Sequence, residues 1–261
     1  MQTRSSAMLE KLARLGYASK AVIYAIIGVL AVLAVANRGG AVTDTTGALH
    51  VVFSRPFGRG LLIVLAAGLC GYGAWRLLDA FMNPDRDGLF VRAGNAVRGV
   101  VYGALGIRAI QLLRGLATSN GDEAELWTAR VFDWPLGEIL VGIIGGIVAA
   151  YGASQVVQGV KGHDHKVDWS PLPPESRTLL QRVSRFGVAT RGGILVTLGV
   201  FLIRAALTHD PNQAAGARES LLRLGGLFDG RWFLGIIAVG VIAYAVDQAI
   251  HAGCRRIQPV V

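Results

Sequence analysis

RLGYASKAVIYAIIG, residues 14–28, is a basic, glycine-containing lead-in that runs straight into an apolar helix. Its skeleton returns twice, as RAGNAVRGVVYGALG at 92–106 and RFGVATRGGILVTLG at 185–199. Superposing the three puts Gly16 on Gly94 and Gly187, Ala18 on Ala96 and Ala189, Lys20 on Arg98 and Arg191, and Gly28 on Gly106 and Gly199. Tyr24 and Tyr102 also match, with Leu195 the exception. A second apolar segment follows each of these: RPFGRGLLIVLAAGLCGYGAW at 55–75, DWPLGEILVGIIGGIVAAYGAS at 133–154 and FDGRWFLGIIAVGVIAYAVD at 228–247. These superpose through Gly58, Gly137 and Gly230 and through Tyr72, Tyr151 and Tyr244. The interval from first-helix to second-helix glycine is 42 residues in the first copy and 43 in the other two. Two unrelated hydrophobic runs do not hold such an interval three times. Each unit is therefore a helical hairpin in triplicate.

Composition places the hairpins in a bilayer. The chain has 261 residues, 52% of them hydrophobic and only 16% charged, with a mean hydropathy of +0.48. A soluble domain carries more charge than this. The formal charge of +9 does not point to nucleic acid, because 22 of the 26 basic residues are Arg and they gather at the borders of apolar runs. That placement suits lipid headgroups. Cys70 and Cys254 lie in or beside apolar runs and do not suggest a disulfide framework.

A bilayer core of about 30 Å takes about 20 residues of helix. Six runs approach that length, at 17–36, 60–81, 95–116, 139–160, 189–207 and 232–251. Arg108, Arg204 and Asp247 interrupt three of them, and the repeat is what identifies these as spans. It also argues against reading the first as a cleavable signal, since the same signature opens the third and fifth. The expected units are repeat 1 at 12–83, repeat 2 at 90–160, a linker at 161–182 and repeat 3 at 183–253. The fold class is all-α, a polytopic bundle of six transmembrane helices in three parallel repeats, with a pseudo-threefold axis along the membrane normal as the simplest packing. The chain resembles the bacterial membrane family catalogued as domain of unknown function 1206, through the glycine, basic and tyrosine positions above. That resemblance implies three copies of a two-helix unit and a membrane location, but no reaction.

Both termini fall on one side, where 16 Lys and Arg gather against eight on the other. The positive-inside rule then predicts cytoplasmic termini in the bacterial inner membrane. Small residues four apart, Gly99 with Gly103, Gly142 with Gly146 and Ala67 with Gly71, offer close helix contacts. The linker, KGHDHKVDWSPLPPESRTLLQR, reads as a solvated segment on which a protein partner would dock. Opposite it, each hairpin's connection has an apolar patch, such as Leu126, Trp127, Val131 and Phe132, and is read as a short interfacial helix.

Candidate sites follow from the repeat. Under threefold packing Lys20, Arg98 and Arg191 lie at one depth, where they bind lipid phosphates, an anionic solute or an acidic tail, or simply snorkel to headgroups. Asp247 is costly inside a span unless paired or hydrated. Height favours Arg98 or Arg191 as its partner over Arg108, which lies about 20 Å along its helix from Gly94. Its role is either an ion pair or part of an ion or proton path. Arg108 and Arg204 face the interior or snorkel outward. Tyr72, Tyr151 and Tyr244 lie in the same half, packing with one hydrogen bond each or lining a pore. His163, Asp164 and His165, with Asp168 nearby, are too few for a metal site, and no metal or other cofactor is expected. No nucleophile, base and orienter stand together, so no enzyme is expected. Two functional classes remain: a structural or accessory membrane protein binding anionic lipid or a partner, and a channel or small-solute transporter formed by the repeats.

Overall fold

The computed structural model describes residues 2–38, 40–82, 88–116, 123–162, 167–170, 173–210, 213–214, 216–227 and 230–255. Six long helices, α1 (Gln2–Val35), α3 (Gly58–Met82), α4 (Leu89–Leu113), α6 (Gly137–Lys161), α7 (Pro174–Thr208) and α9 (Gly230–Cys254), are each long and apolar enough to cross a bilayer. Three short helices join them within the repeats: α2 (Thr45–Phe53), α5 (Glu123–Phe132) and α8 (Ala217–Leu227). They occupy the connections read as interfacial helices. α2 packs against α1, α3 and α4 and buries Ala48, Leu49 and Val52, closing one end of the bundle.

Local sequence explains where the helices stop and turn. Left-handed residues end the first helix of each repeat, Asn37 after α1, Gly115 after α4 and His209 after α7. A second left-handed residue, Phe57 or Leu136, redirects the chain into α3 or α6. The next residue must then be glycine, because the end of the short helix lies against it: a Cβ on Gly58 would strike the Val52 carbonyl, and one on Gly137 the Val131 carbonyl. That accounts for two of the three aligned second-helix glycines. At the third, Gly230, the obstructing carbonyl is that of Gly225.

The linker differs from its reading. Pro174 takes the first position of α7, where its fixed φ favours a helix start, so the segment from 174 onward is exposed helix and not irregular chain. Before it, Val167 is buried and forms an isolated antiparallel bridge with Arg255, and the Asp168 amide donates to the Cys254 carbonyl at 2.7 Å. Val167 and Asp168 of the linker are thereby strapped to the end of α9.

The tightest packing runs between repeats and not within them: α3 on α4, α6 on α7 and α9 on α1. The last contact brings the third repeat back to the first, so three copies surround one pseudo-threefold axis. In each seam residues seven apart on one helix, all Gly or Ala, lie against a seven-spaced set on the other that includes an arginine. Gly73 and Ala80 lie against Gly99 and Arg92; Gly145, Gly152 and Gly159 against Gly199, Gly192 and Arg185; Ala238 and Ala252 against Gly28 and Arg14. A seven-residue spacing keeps the seam on one face of gently supercoiled helices. In lipid such contacts gain from van der Waals packing at close approach. Two of the expected four-apart pairs therefore lie partly or wholly off these seams. A Cβ on Gly146 would meet nothing within 4 Å, whereas one on neighbouring Gly145 would lie 2.9 Å from the Gly199 carbonyl oxygen. Gly71 faces Leu12 of its own repeat, not another repeat's backbone.

Candidate functional site: a cation and tyrosine ring

At the end of the bundle that holds both termini, each repeat supplies one arginine to an outer layer. Arg14, Arg92 and Arg185 occupy equivalent positions and bond the last carbonyls of the neighbouring second helix. Arg92 donates from Nε to Ala80 at 2.9 Å, Arg185 from Nε to Gly159 at 3.0 Å, and Arg14 from Nη1 to Ala252 at 3.0 Å and Gly253 at 2.6 Å. A helix C-terminus leaves carbonyls unsatisfied and carries partial negative charge, and a guanidinium meets both needs. The arginines begin all three quoted lead-ins, yet spacing along the chain does not reveal that their partners lie on the neighbouring repeat.

Deeper in the bundle lie Lys20, Arg98 and Arg191, each paired with the tyrosine of its own repeat. The Lys20 ammonium sits 4.6 Å from the centroid of Tyr72, the Arg98 guanidinium 5.1 Å from that of Tyr151, and the Arg191 guanidinium 5.2 Å from that of Tyr244. Cation and aromatic face are thus matched in each of the three repeats. Lys20 is only 4% exposed and is also surrounded by Tyr102 at 4.6 Å and Tyr17 at 5.4 Å. Among the described residues its one hydrogen bond is long, 3.4 Å to the Tyr72 hydroxyl. Arg98 donates from Nε to the Tyr151 hydroxyl at 2.8 Å and Arg191 from Nη1 to Gln155 Oε1 at 3.3 Å. Among the described residues no carboxylate contacts any of the three, and Arg76, Arg98 and Arg191 are all near enough for their charges to act on Lys20.

Arg76, near the end of α3, is 3% exposed and belongs to the site. Its guanidinium donates to the hydroxyls of Tyr72 at 3.0 Å and Tyr17 at 2.7 Å, to Asp79 at 3.2 Å and to Asn95 at 3.1 Å. Asn95 returns a bond to Asp79 at 2.9 Å. Arg255 also bonds Tyr17 and packs over its ring and that of Trp75. The sequence signal for this network is weak: Arg76 and Asp79 stand three apart at a helix end, where charges are ordinary.

Asp247 is buried, and its partners are not the expected arginines. It accepts from the Ser184 hydroxyl and from Gln248 Nε2 at 2.8 Å, and His251 Nδ1 lies 3.6 Å away. Neither Arg98 nor Arg191 reaches it. Helix rotation decides this: His251 is one turn on along the same face of α9, while Arg191 turns toward Tyr244 and Gln155. Tyr72 accepts two bonds and Tyr151 one, whereas Tyr244 packs edge-on against Tyr24 at 4.7 Å. Arg204 is exposed and Arg108 half-buried, both outside the ring. Among the described residues no three His, Cys, Asp or Glu side chains stand together to hold a metal, and His163, Asp164 and His165 lie outside the described residues.

Residues 15–83, 93–162 and 186–255 each match the family described as Domain of Unknown Function (DUF1206). The chain belongs to the DUF1206 family. This DUF1206 protein is also 30% identical over 244 residues to the "Uncharacterized protein YxxB" of Bacillus subtilis (strain 168), a match covering 91% of this chain and 88% of that one. No solved structure matches it. Each DUF1206 unit contributes one seam, one outer-layer arginine and one cation–tyrosine pair.

Proposed function

We propose that this protein is an accessory membrane protein that binds a phosphate-bearing anion, foremost the headgroup of an acidic membrane lipid, at Lys20, Arg98 and Arg191. One observation carries the reading: the Lys20 amine is buried among three tyrosine rings and, among the described residues, has a single long hydrogen bond and no carboxylate partner. A buried charge without a counterion is costly, and an incoming anion relieves that cost. Arginine forks suit phosphate oxygens, and a basic pocket between transmembrane helices is a known form of headgroup site. The positive-inside rule puts the ring toward the cytoplasm.

A purely permeating role has less support. From the tyrosines toward the far end, Ile23, Ile27, Leu62, Leu65, Leu69 and Val241 form one packed cluster, joined by Leu105, Ile194 and Ile237 and covered by Leu49 and Val52 of α2. An apolar plug built from all three repeats favours binding over passage.

The test is phosphatidylglycerol binding to the full chain in nanodiscs, read by native mass spectrometry. Lys20→Gln should weaken it about tenfold or more, since a hydrogen bond to a charged group is worth about 1.5–3 kcal/mol. Equal affinity in wild type and Lys20→Gln would remove the ring from the function.

A further inference from the structure

We infer that the ring is reached sideways from the bilayer, between α4 and α6, and that the molecule entering there is an anionic lipid whose acyl chain lies against Val97 and Ile147 while its phosphate meets Arg98. This rests on the anion-binding reading above and names its ligand and route.

The inference starts from a break in the threefold pattern. Around the ring of long helices, every neighbouring pair packs closely except α4 and α6, the two arms of the second hairpin. Glycine contacts locate the opening. In repeat 1 a Cβ on Gly16 would run into Tyr72, and in repeat 3 one on Gly187 would run into Tyr244 and lie 2.5 Å from the Ala243 carbonyl carbon. At the equivalent Gly94 it would meet nothing within 4 Å.

The residues at the crossing supply the cause. Repeat 1 places Gly68 against Ser19, and repeat 3 places Gly240 against Thr190. Repeat 2 has Ile147 and Val97 at the corresponding positions. Two branched aliphatic side chains cannot occupy the space of a glycine and a hydroxyl residue, so the arms stand apart. Ser19 is 2% exposed, whereas Val97 is 54% and Ile147 57% exposed. In a transmembrane segment that exposure is to lipid.

The opening is not apolar throughout. Just inside it the Arg98 guanidinium reaches across from α4 to the Tyr151 hydroxyl on α6 at 2.8 Å, and both residues are half-buried. Tyr72 and Tyr244, by contrast, are buried at 1% and 5% exposure. An arginine open to lipid, with no carboxylate partner among the described residues, calls for an anion. Aliphatic walls with a cationic floor match an amphiphile that carries both an acyl chain and a phosphate. A helix from a second copy would cover the walls but leave Arg98 unneutralised.

The experiment compares two ligands on the full chain in phosphatidylcholine nanodiscs: phosphatidylglycerol doped into the bilayer, and water-soluble glycerol phosphate. Gly94→Leu fills the opening without touching the ring. It should weaken phosphatidylglycerol binding at least tenfold and leave glycerol phosphate binding within twofold, while Arg98→Gln should weaken both. Should Gly94→Leu leave lipid binding unchanged while Arg98→Gln lowers it, the lateral route is overturned and the anion site survives. Failure of both ligands to bind wild type overturns site and route together. An independent readout on the unmodified chain is photolabelling by phosphatidylglycerol with a diazirine in its acyl chain. Adducts on peptides holding Val97 or Ile147 are expected, and labelling confined to other helices overturns the route. Disulfide-linked dimers from a Val97→Cys variant in the membrane, which would put a second copy in the opening, overturn it as well.

Discussion

The first and second hairpins share glycine, cation and tyrosine positions yet pack in different ways. In the first, α1 and α3 meet at Gly16 and Gly68, and a polar network around Arg76 fills the space beneath. In the second, α4 and α6 separate around Val97 and Ile147, and the Arg98 to Tyr151 bond links them across the gap. Conservation of the unit's skeleton thus does not enforce equal packing within the unit. The seams between units are the constant feature, because their small residues recur at all three and each is reinforced by an arginine on the next helix's carbonyl end.

The sharpest way to break this comparison is Arg76→Gln, which gives repeat 1 the residue that repeats 2 and 3 carry as Gln155 and Gln248. It leaves Asp79 buried without its ion pair, and the loss should be about 3–5 kcal/mol in denaturant titration of the protein in mixed micelles. A near-neutral result would mean that the network is incidental to the first hairpin. Next in size, Gly16→Leu and Gly187→Leu should each cost about 1–3 kcal/mol by overpacking. Gly94→Leu should be neutral or stabilising by up to about 1 kcal/mol, since leucine favours the helix and meets no obstacle. Equal losses at all three sites would contradict the open hairpin.

A constructive test makes the second hairpin resemble the first. Val97→Ser combined with Ile147→Gly should let α4 approach α6 to an interaxial distance of about 8 Å. Spin-label distances between the two helices would then shorten, and unchanged distances would place the cause of the opening elsewhere. The smallest effects belong to the outer layer. Alanine in place of Arg14, Arg92 or Arg185 should cost about 0.5–1 kcal/mol each, similarly across the three seams. A single dominant arginine would show that the seams are not equivalent.

Much of the architecture was legible in the chain. Three matched lead-ins, each followed at a fixed interval by a second glycine and tyrosine, specify six spans in three hairpins with one orientation. The ring of Lys20, Arg98 and Arg191 with Tyr72, Tyr151 and Tyr244 follows from the same register. Less visible were Arg76, Tyr17 and Asn95, since a polar residue at a helix end looks the same in sequence whether it faces headgroups or neighbouring helices. Asp247 illustrates the point: its depth was readable, but its partner depended on the rotation of α9 about its own axis.

Sequence alone determined the number of helices, their repeat and the depth of each charge, because a helix rises by a fixed amount per residue and a bilayer has a set thickness. Tertiary structure decided which faces meet. The seven-residue seams, the strap of Val167 and Asp168 on α9 and the gap at α4 and α6 all depend on how closely two surfaces approach, and that is set by both partners together. A glycine admits close approach only where nothing opposite is too large, so Gly94 stands in the open while Gly16 and Gly187 are covered.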